Sequence, residues 1–261
     1  MMKDTKDDLH RYLDVALQAS RRAQDVIMQY FGGDIVPEIK SDNSPVTIAD
    51  KEAEKVIIET ISSAFPDHGF LGEESGDSGR DSEFKWIIDP IDGTKNFIRG
   101  IPLFGSLIGL MQGAEIILGV SSVPAMNERL YAGKGIGAFR AEETPIKVSE
   151  VPSLGEAQVS FGGLDEFLDE NKLNGMLNIV RSAYRIRSFG DTYPYHLVAT
   201  GRFEAVIEAQ IRIWDIAAAS AIIGEAGGKV TDLQGNKITV DTTTVVASNC
   251  KIHDAIIERF R

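Results

Sequence analysis

The sequence predicts a mixed fold: an α+β half built on an antiparallel sheet, followed by an α/β half. Three observations carry that prediction. The apolar runs Phe104 to Met111 and Glu115 to Val120 flank Gln112-Gly113-Ala114, the pattern of a hairpin with a glycine-containing turn. After residue 157, strand-like and helix-like stretches alternate instead, at 157–161, 167–178, 185–188, 191–200, 203–207, 215–226 and 229–231, as α/β units do. Between the two patterns lies Pro145 to Pro152, which places residues 1–147 in the first half and 148–261 in the second.

Each element follows in order. Leu9, Leu13, Ala16, Leu17, Ile27 and Phe31 fall near one face of a first helix, which Gly32-Gly33 ends. Polar Ser41-Asp42-Asn43-Ser44-Pro45 is a loop. A second helix turns Ala49, Ala53, Val56, Ile57, Thr60 and Ile61 inward, with Pro66 beyond its end. Gly69 to Gly72 is a short strand delivering Glu73 and Glu74 to a mobile loop of Ser, Gly and Asp. Arg129 to Tyr131 and Gly137 to Phe139 extend the antiparallel sheet. Gly133-Lys134-Gly135-Ile136-Gly137 between them reads as a turn, because no helix follows it to cradle a phosphate.

Composition narrows the class of function. With 261 residues, 43% hydrophobic and 25% charged, the chain can bury a substantial core. A net charge of −12 without any Lys/Arg-rich run argues against nucleic acid as a partner. An anionic substrate then requires cations that locally reverse the field. Cys250 is the single cysteine, which excludes an intrachain disulfide and a cysteine-rich zinc site. A charged N-terminus and the lack of an apolar run of membrane length lead to the expectation of a soluble, cytoplasmic protein with no membrane partner. The four histidines are scattered, and neither a nucleophile elbow nor a Walker A loop occurs.

The most informative stretch is Trp86-Ile87-Ile88-Asp89-Pro90-Ile91-Asp92-Gly93-Thr94. A buried strand is expected to end at Asp89, where Pro90 withholds a ladder donor. The turn then offers two carboxylates and the carbonyl of Ile91, hard oxygen ligands suited to Mg²⁺. Gly93 admits a ligand close to the backbone, and Thr94 adds a hydroxyl at the start of a helical segment. Acidic turn residues also cap backbone donors, so both readings stand for Asp89 and Asp92. Glu73 is a further ligand candidate, whereas Glu74 reads as a solvated loop tip. Asp215, in Ile213-Trp214-Asp215, is either a helix cap or a buried carboxylate seeking a cation. Asp50, three residues after Thr47, fits a capping box, and Lys40 reads as solvent-exposed.

Taken together, Gly72-Glu73-Glu74-Ser75, Trp86 to Thr94 and Trp214-Asp215 through Gly228 resemble the inositol monophosphatase superfamily, in order and spacing, over roughly residues 9 to 260. The resemblance implies a layered αβαβα sandwich, an α+β half and an α/β half with the site between them. It implies Mg²⁺, two or three ions per site, held by Glu73, Asp89, the Ile91 carbonyl, Asp92 and Asp215. It also implies phosphate binding by Gly93 and Thr94, water activation by Thr94 with Asp50, a place for Lys40 near a third metal and its water, and substrate contact by Glu208 and Asp215. The implied reaction is hydrolysis of a small phosphate monoester by in-line attack of a metal-activated water, in a homodimer.

Within the superfamily, Asp92 to Pro102 and Arg187-Ser188-Phe189-Gly190-Asp191, followed by His196 to Arg202, resemble the histidinol-phosphatase branch. Asp191 and Glu208 would offer negative charge to the amino group of histidinol phosphate, although Asp191 also suits a helix N-cap. Inositol 1-phosphate or a related sugar or nucleotide phosphate is the alternative substrate. A non-enzymatic alternative is the role of binding partner in a transcription complex, which some superfamily members fill.

Overall fold

The computed structural model describes residues 6–41, 44–169 and 172–261. Asp42 and Asn43 of the expected loop lie outside the described residues. The chain stacks in five layers, helix, sheet, helix, sheet, helix.

Helices Lys6–Tyr30 and Ile48–Ala64 form the first layer. Their inward faces, with Ala16, Ala23, Ile27, Ala53, Ile57 and Ile61 fully buried, pack on one side of the larger sheet. The second helix starts with the expected capping box. Thr47 Oγ1 accepts from the Ala49 amide at 3.1 Å, and Asp50 Oδ2 accepts from the Thr47 amide at 2.8 Å.

The larger sheet holds eight strands in the spatial order 144–145, 137–140, 128–133, 115–123, 105–112, 84–92, 69–72, 76–77. All neighbours are antiparallel except Gly69–Gly72, which runs parallel to Phe84–Asp92. Side-chain alternation divides the two cores. Trp86 and Ile88 face the first helical layer, while Ile87 faces the middle one. The segment expected as a mobile loop after Glu74 instead turns tightly and pairs back as the strand Gly76–Asp77.

The middle layer is Thr192–Ala199 and Ile213–Glu225. Small residues let the latter helix lie directly on the large sheet. A Cβ at Gly119 would stand 2.3 Å from the carbonyl oxygen of Ala218, and one at Gly109, its cross-strand partner, 2.8 Å from the Cβ of Ala217. Only glycine allows that approach.

The smaller sheet orders its five strands 185–187, 158–161, 205–209, 244–248, 229–231. The first three are parallel, as the alternation predicts. Thr244–Ser248, which the alternation does not signal, enters antiparallel between the last pair and makes the sheet mixed. Its alternate residues serve both faces, Val245 and Ala247 inward and Val246 outward. Leu173–Ser182 and His253–Ile257 cover the outer face. The single helix expected over 167–178 is divided: Glu166–Asp169 and Leu173–Ser182 are separate, with Lys172 non-helical.

Candidate metal centre and substrate cavity

The strand carrying the opening motif does not stop at Asp89. It runs from Phe84 to Asp92, and its pairing with Gly105–Gln112 slips between Asp89 and Asp92 before resuming at Asp92–Gly105. Pro90 sits inside that slip, where its missing N–H costs no ladder bond. The bulge re-aims the chain so that both carboxylates reach one site. Gly93 follows in the left-handed region at φ 84°, starting the short helix Thr94–Ile98.

Asp215 reaches the same place from the N-terminus of Ile213–Glu225. One of its oxygens accepts from the Arg212 amide at 2.7 Å, so the capping role and the cluster role coexist. Ligand atoms of Asp89, Asp92 and Asp215 lie within 4.8 Å of one another. Asp89 Oδ1 is buried and has no hydrogen-bond partner among the described residues. Burial raises the pKa of Asp89 well above the carboxylate range, and the charges of Glu73, Asp92 and Asp215 push it further. Asp92 behaves likewise, through burial and then the charges of Asp191 and Asp215. For Asp215, burial is the main cause of a rise to about 7. Three converging carboxylates with an orphaned oxygen fit a hard divalent cation, which would supply the missing partner.

Glu73 borders this cluster, and its carboxylate oxygen accepts from Lys40 Nζ at 2.9 Å. Lys40 also donates to Glu74 at 2.6 Å. Neither Lys40 nor Glu74 is solvated as their local sequence suggests; their side chains are 20% and 10% exposed. Burial opposes the charge on Lys40, but its hydrogen bonds to Glu74 and Glu73 outweigh that effect and the pKa rises. Burial raises Glu74 to about 7 against the opposing bond from Lys40. The partner of Lys40 is invisible in sequence because it lies 33 residues away.

Asp50 does more than cap its helix. Its second oxygen, Oδ1, accepts from Thr94 Oγ1 at 3.2 Å, and the same hydroxyl lies 3.0 Å from the Ile91 carbonyl oxygen. Burial raises the Asp50 pKa, and bonds from Thr47 oppose the shift.

Beside the cluster opens a cavity of about 410 Å³, bordered by Asp92, Asp215, Asp191, Glu208, Glu166 and Lys95 among others. Asp191 precedes the helix Thr192–Ala199 yet makes no side-chain cap; Asn96 Nδ2 donates to its Oδ2 at 2.8 Å. Its φ of 54° turns the carboxylate toward Gly93, whose absent side chain leaves room. Burial raises Asp191 to about 6. Glu208 accepts from Tyr195 Oη at 2.5 Å, and burial, only partly offset by that bond, raises it to about 8. Thr192 donates its hydroxyl to Asp92 Oδ2, tying the second half to the cluster. No motif of the sequence singles out Tyr195, Thr192 or Glu166, although Thr192 stands next to Asp191 at the predicted helix start. Asn96 falls inside the Asp92 to Pro102 stretch, but nothing local to it shows that it meets Asp191.

The model of the inositol monophosphatase family matches residues 8–261. The chain belongs to the inositol monophosphatase family. Within the family, histidinol-phosphatase of Mycobacterium tuberculosis is 36% identical over 255 residues, covering 96% of this chain and 98% of that protein. Inositol-1-monophosphatase of Mesorhizobium japonicum is 36% identical over 252 residues, covering 94% of each. An IMPase structure from Thermotoga maritima superimposes with a TM-score of 0.86 at 34% identity, covering 95% of this chain and 96% of that one. As a member of the inositol monophosphatase family the chain is a phosphatase. Among its described residues no helix is long and apolar enough to cross a membrane.

Proposed function

We propose that the protein is a Mg²⁺-dependent histidinol-phosphatase, releasing phosphate from L-histidinol phosphate. The observation that carries the substrate choice is Asp191: Asn96 holds its carboxylate in the cavity wall instead of letting it cap its helix, beside buried Glu208. Two carboxylates facing the organic part of a substrate suit an ammonium group, which inositol phosphate lacks. Full-length relatives named histidinol-phosphatase support the same choice.

In this reading Glu73, Asp89, Asp92, Asp215 and the Ile91 carbonyl hold two or three Mg²⁺. Ions held there would supply positive charge for the phosphoryl oxygens and lower the pKa of a water. Thr94 donates its hydroxyl proton toward Asp50 Oδ1, leaving its lone pairs to orient the attacking water and receive its proton. Asp50, its affinity for protons raised by burial, is the final acceptor. Gly93, lacking a side chain, lets the phosphate approach the backbone. Lys40 tempers the charge of Glu73 at the edge of the site. Asp191 and Glu208 bind the substrate's ammonium group. The same reading makes the protein a cytoplasmic homodimer serving histidine biosynthesis.

Phosphate release from histidinol phosphate, inositol 1-phosphate, fructose 1,6-bisphosphate and 3′-phosphoadenosine 5′-phosphate, each with Mg²⁺ and with chelator, tests this. We expect histidinol phosphate to be preferred and chelator to abolish all turnover. Preference for inositol 1-phosphate would overturn the substrate, and turnover in chelator would overturn the metal.

A further inference from the structure

Glu54 takes no part in the chemistry above, yet it is a carboxylate with only 3% of its surface exposed. A buried carboxylate is costly unless hydrogen bonds replace its water. Both of its oxygens are used, and both by backbone. Oε2 accepts from the amide of Glu74 at 3.0 Å and Oε1 from that of Ser75 at 2.8 Å. The preceding amide, of Glu73, donates to the Ile88 carbonyl at 3.0 Å. Three successive N–H groups, 73 to 75, are therefore fixed. One is held by the strand that carries Asp89, and two by the helix that carries Asp50.

Glu54 stands four residues after Asp50, on the same face of that helix. One helical turn thus reaches both sides of the site: Asp50 meets Thr94, and Glu54 meets the turn bearing Glu73. Gly72 makes the reach possible, since a Cβ there would stand 2.5 Å from Glu54 Oε2.

We propose that Glu54 is a positioning residue for the metal centre. By clamping the Glu74 and Ser75 amides it sets the direction in which Glu73 presents its carboxylate, and so sets metal affinity. The inference rests on the reading of Glu73 as a metal ligand. Glutamine cannot substitute, because it offers one acceptor oxygen and turns an NH₂ toward the second amide.

A matched control exists in the other half. Glu204, 4% exposed, accepts from the Gln158 amide at 2.6 Å, a comparable buried cap whose bond goes to the strand 158–161 and not to the turn bearing Glu73. The experiment is calorimetric titration of Mg²⁺ into the full-length protein, with melting temperature measured alongside. Its variants are Glu73→Gln, Glu54→Gln, Glu54→Asp and Glu204→Gln. We expect Glu54→Gln to weaken Mg²⁺ binding about tenfold, in the range that outer partners of metal ligands command. Glu54→Asp, which keeps two acceptors on a shorter arm, recovers part of the loss, and Glu204→Gln leaves Mg²⁺ binding unchanged whatever its melting temperature. Unchanged affinity in Glu73→Gln would overturn the ligand reading itself. If Glu73→Gln weakens binding while Glu54→Gln stays within about twofold of wild type, the ligand stands and the role of Glu54 falls. An equal loss in Glu204→Gln would reduce the effect to general destabilisation and overturn the proposal as well. Should Glu54→Gln not fold, wild-type affinity in Glu54→Asp counts against the proposal and weakened affinity counts for it.

Discussion

The turn around residues 86–94 and the cavity wall around residues 187–212 are both acidic and largely buried, but they are assembled differently. Asp89 and Asp92 come from one strand, three residues apart, and a bulge aims them together. Asp191 and Glu208 come from a loop and from a strand of the smaller sheet, and each is held by a distant neutral donor, Asn96 or Tyr195. Although Asp92 and Asp215 accept from Thr192 and the Arg212 amide, Asp89 keeps an oxygen with no partner among the described residues, whereas both wall carboxylates accept hydrogen bonds from the protein. The difference separates two tasks. An unsatisfied set of carboxylates calls for a metal. A satisfied, oriented set in a cavity suits recognition of a donor on a ligand. Thr192, donating to Asp92 from the residue after Asp191, is where the regions touch.

The largest effect expected on this contrast comes from Asp92→Asn. Loss of one metal-cluster carboxylate removes several kcal/mol of transition-state stabilisation, so turnover should fall by on the order of 10³-fold or more. The metal-free protein should remain folded and melt no lower than wild type, because a buried carboxyl whose charged form is disfavoured gives way to a neutral amide of the same shape. Near-normal kinetics in that variant would remove Asp92 from the centre.

Asp191→Asn should act on the wall alone. We expect kcat/KM for histidinol phosphate to fall roughly 10- to 100-fold, the worth of a charge-assisted hydrogen bond. Turnover of inositol 1-phosphate should change by less than about threefold, since uniform losses mark groups that serve every substrate. Equal losses on both esters would assign Asp191 to the metal turn.

The smallest effect is on stability against pH without divalent cations. Asp191, Asp215 and Glu208 have pKa values raised to about 6, 7 and 8. Above the ordinary carboxylate range the unfolded chain has released protons that the folded protein still holds. The unfolded state then binds fewer protons, so stability declines as pH rises through these values. We expect the melting temperature to fall between pH 5 and pH 8 in chelator, and the decline to shrink with Mg²⁺. A flat profile in chelator would show that burial does not raise these carboxylates.

The sequence by itself determined the layered fold and singled out carboxylates that the structure brings together. Short motifs carry Asp89, Asp92 and Asp215, and hydrophobic periodicity with its glycine punctuation carries the helices and the hairpin. Both signals are local, written in the spacing of residues along one element. Other features were decided only by tertiary structure. The strand continues through Pro90 because its neighbour slips register. Thr244–Ser248 joins the smaller sheet antiparallel through partners nearly 40 residues away. Lys40 and Glu74 leave solvent because they meet each other, and Asp191 turns from a cap into a wall because Asn96 lies 95 positions earlier in the chain. Each of these depends on a partner distant in sequence, and the free energy of burying a charge or a backbone donor is set by that partner and not by the residue's own neighbours.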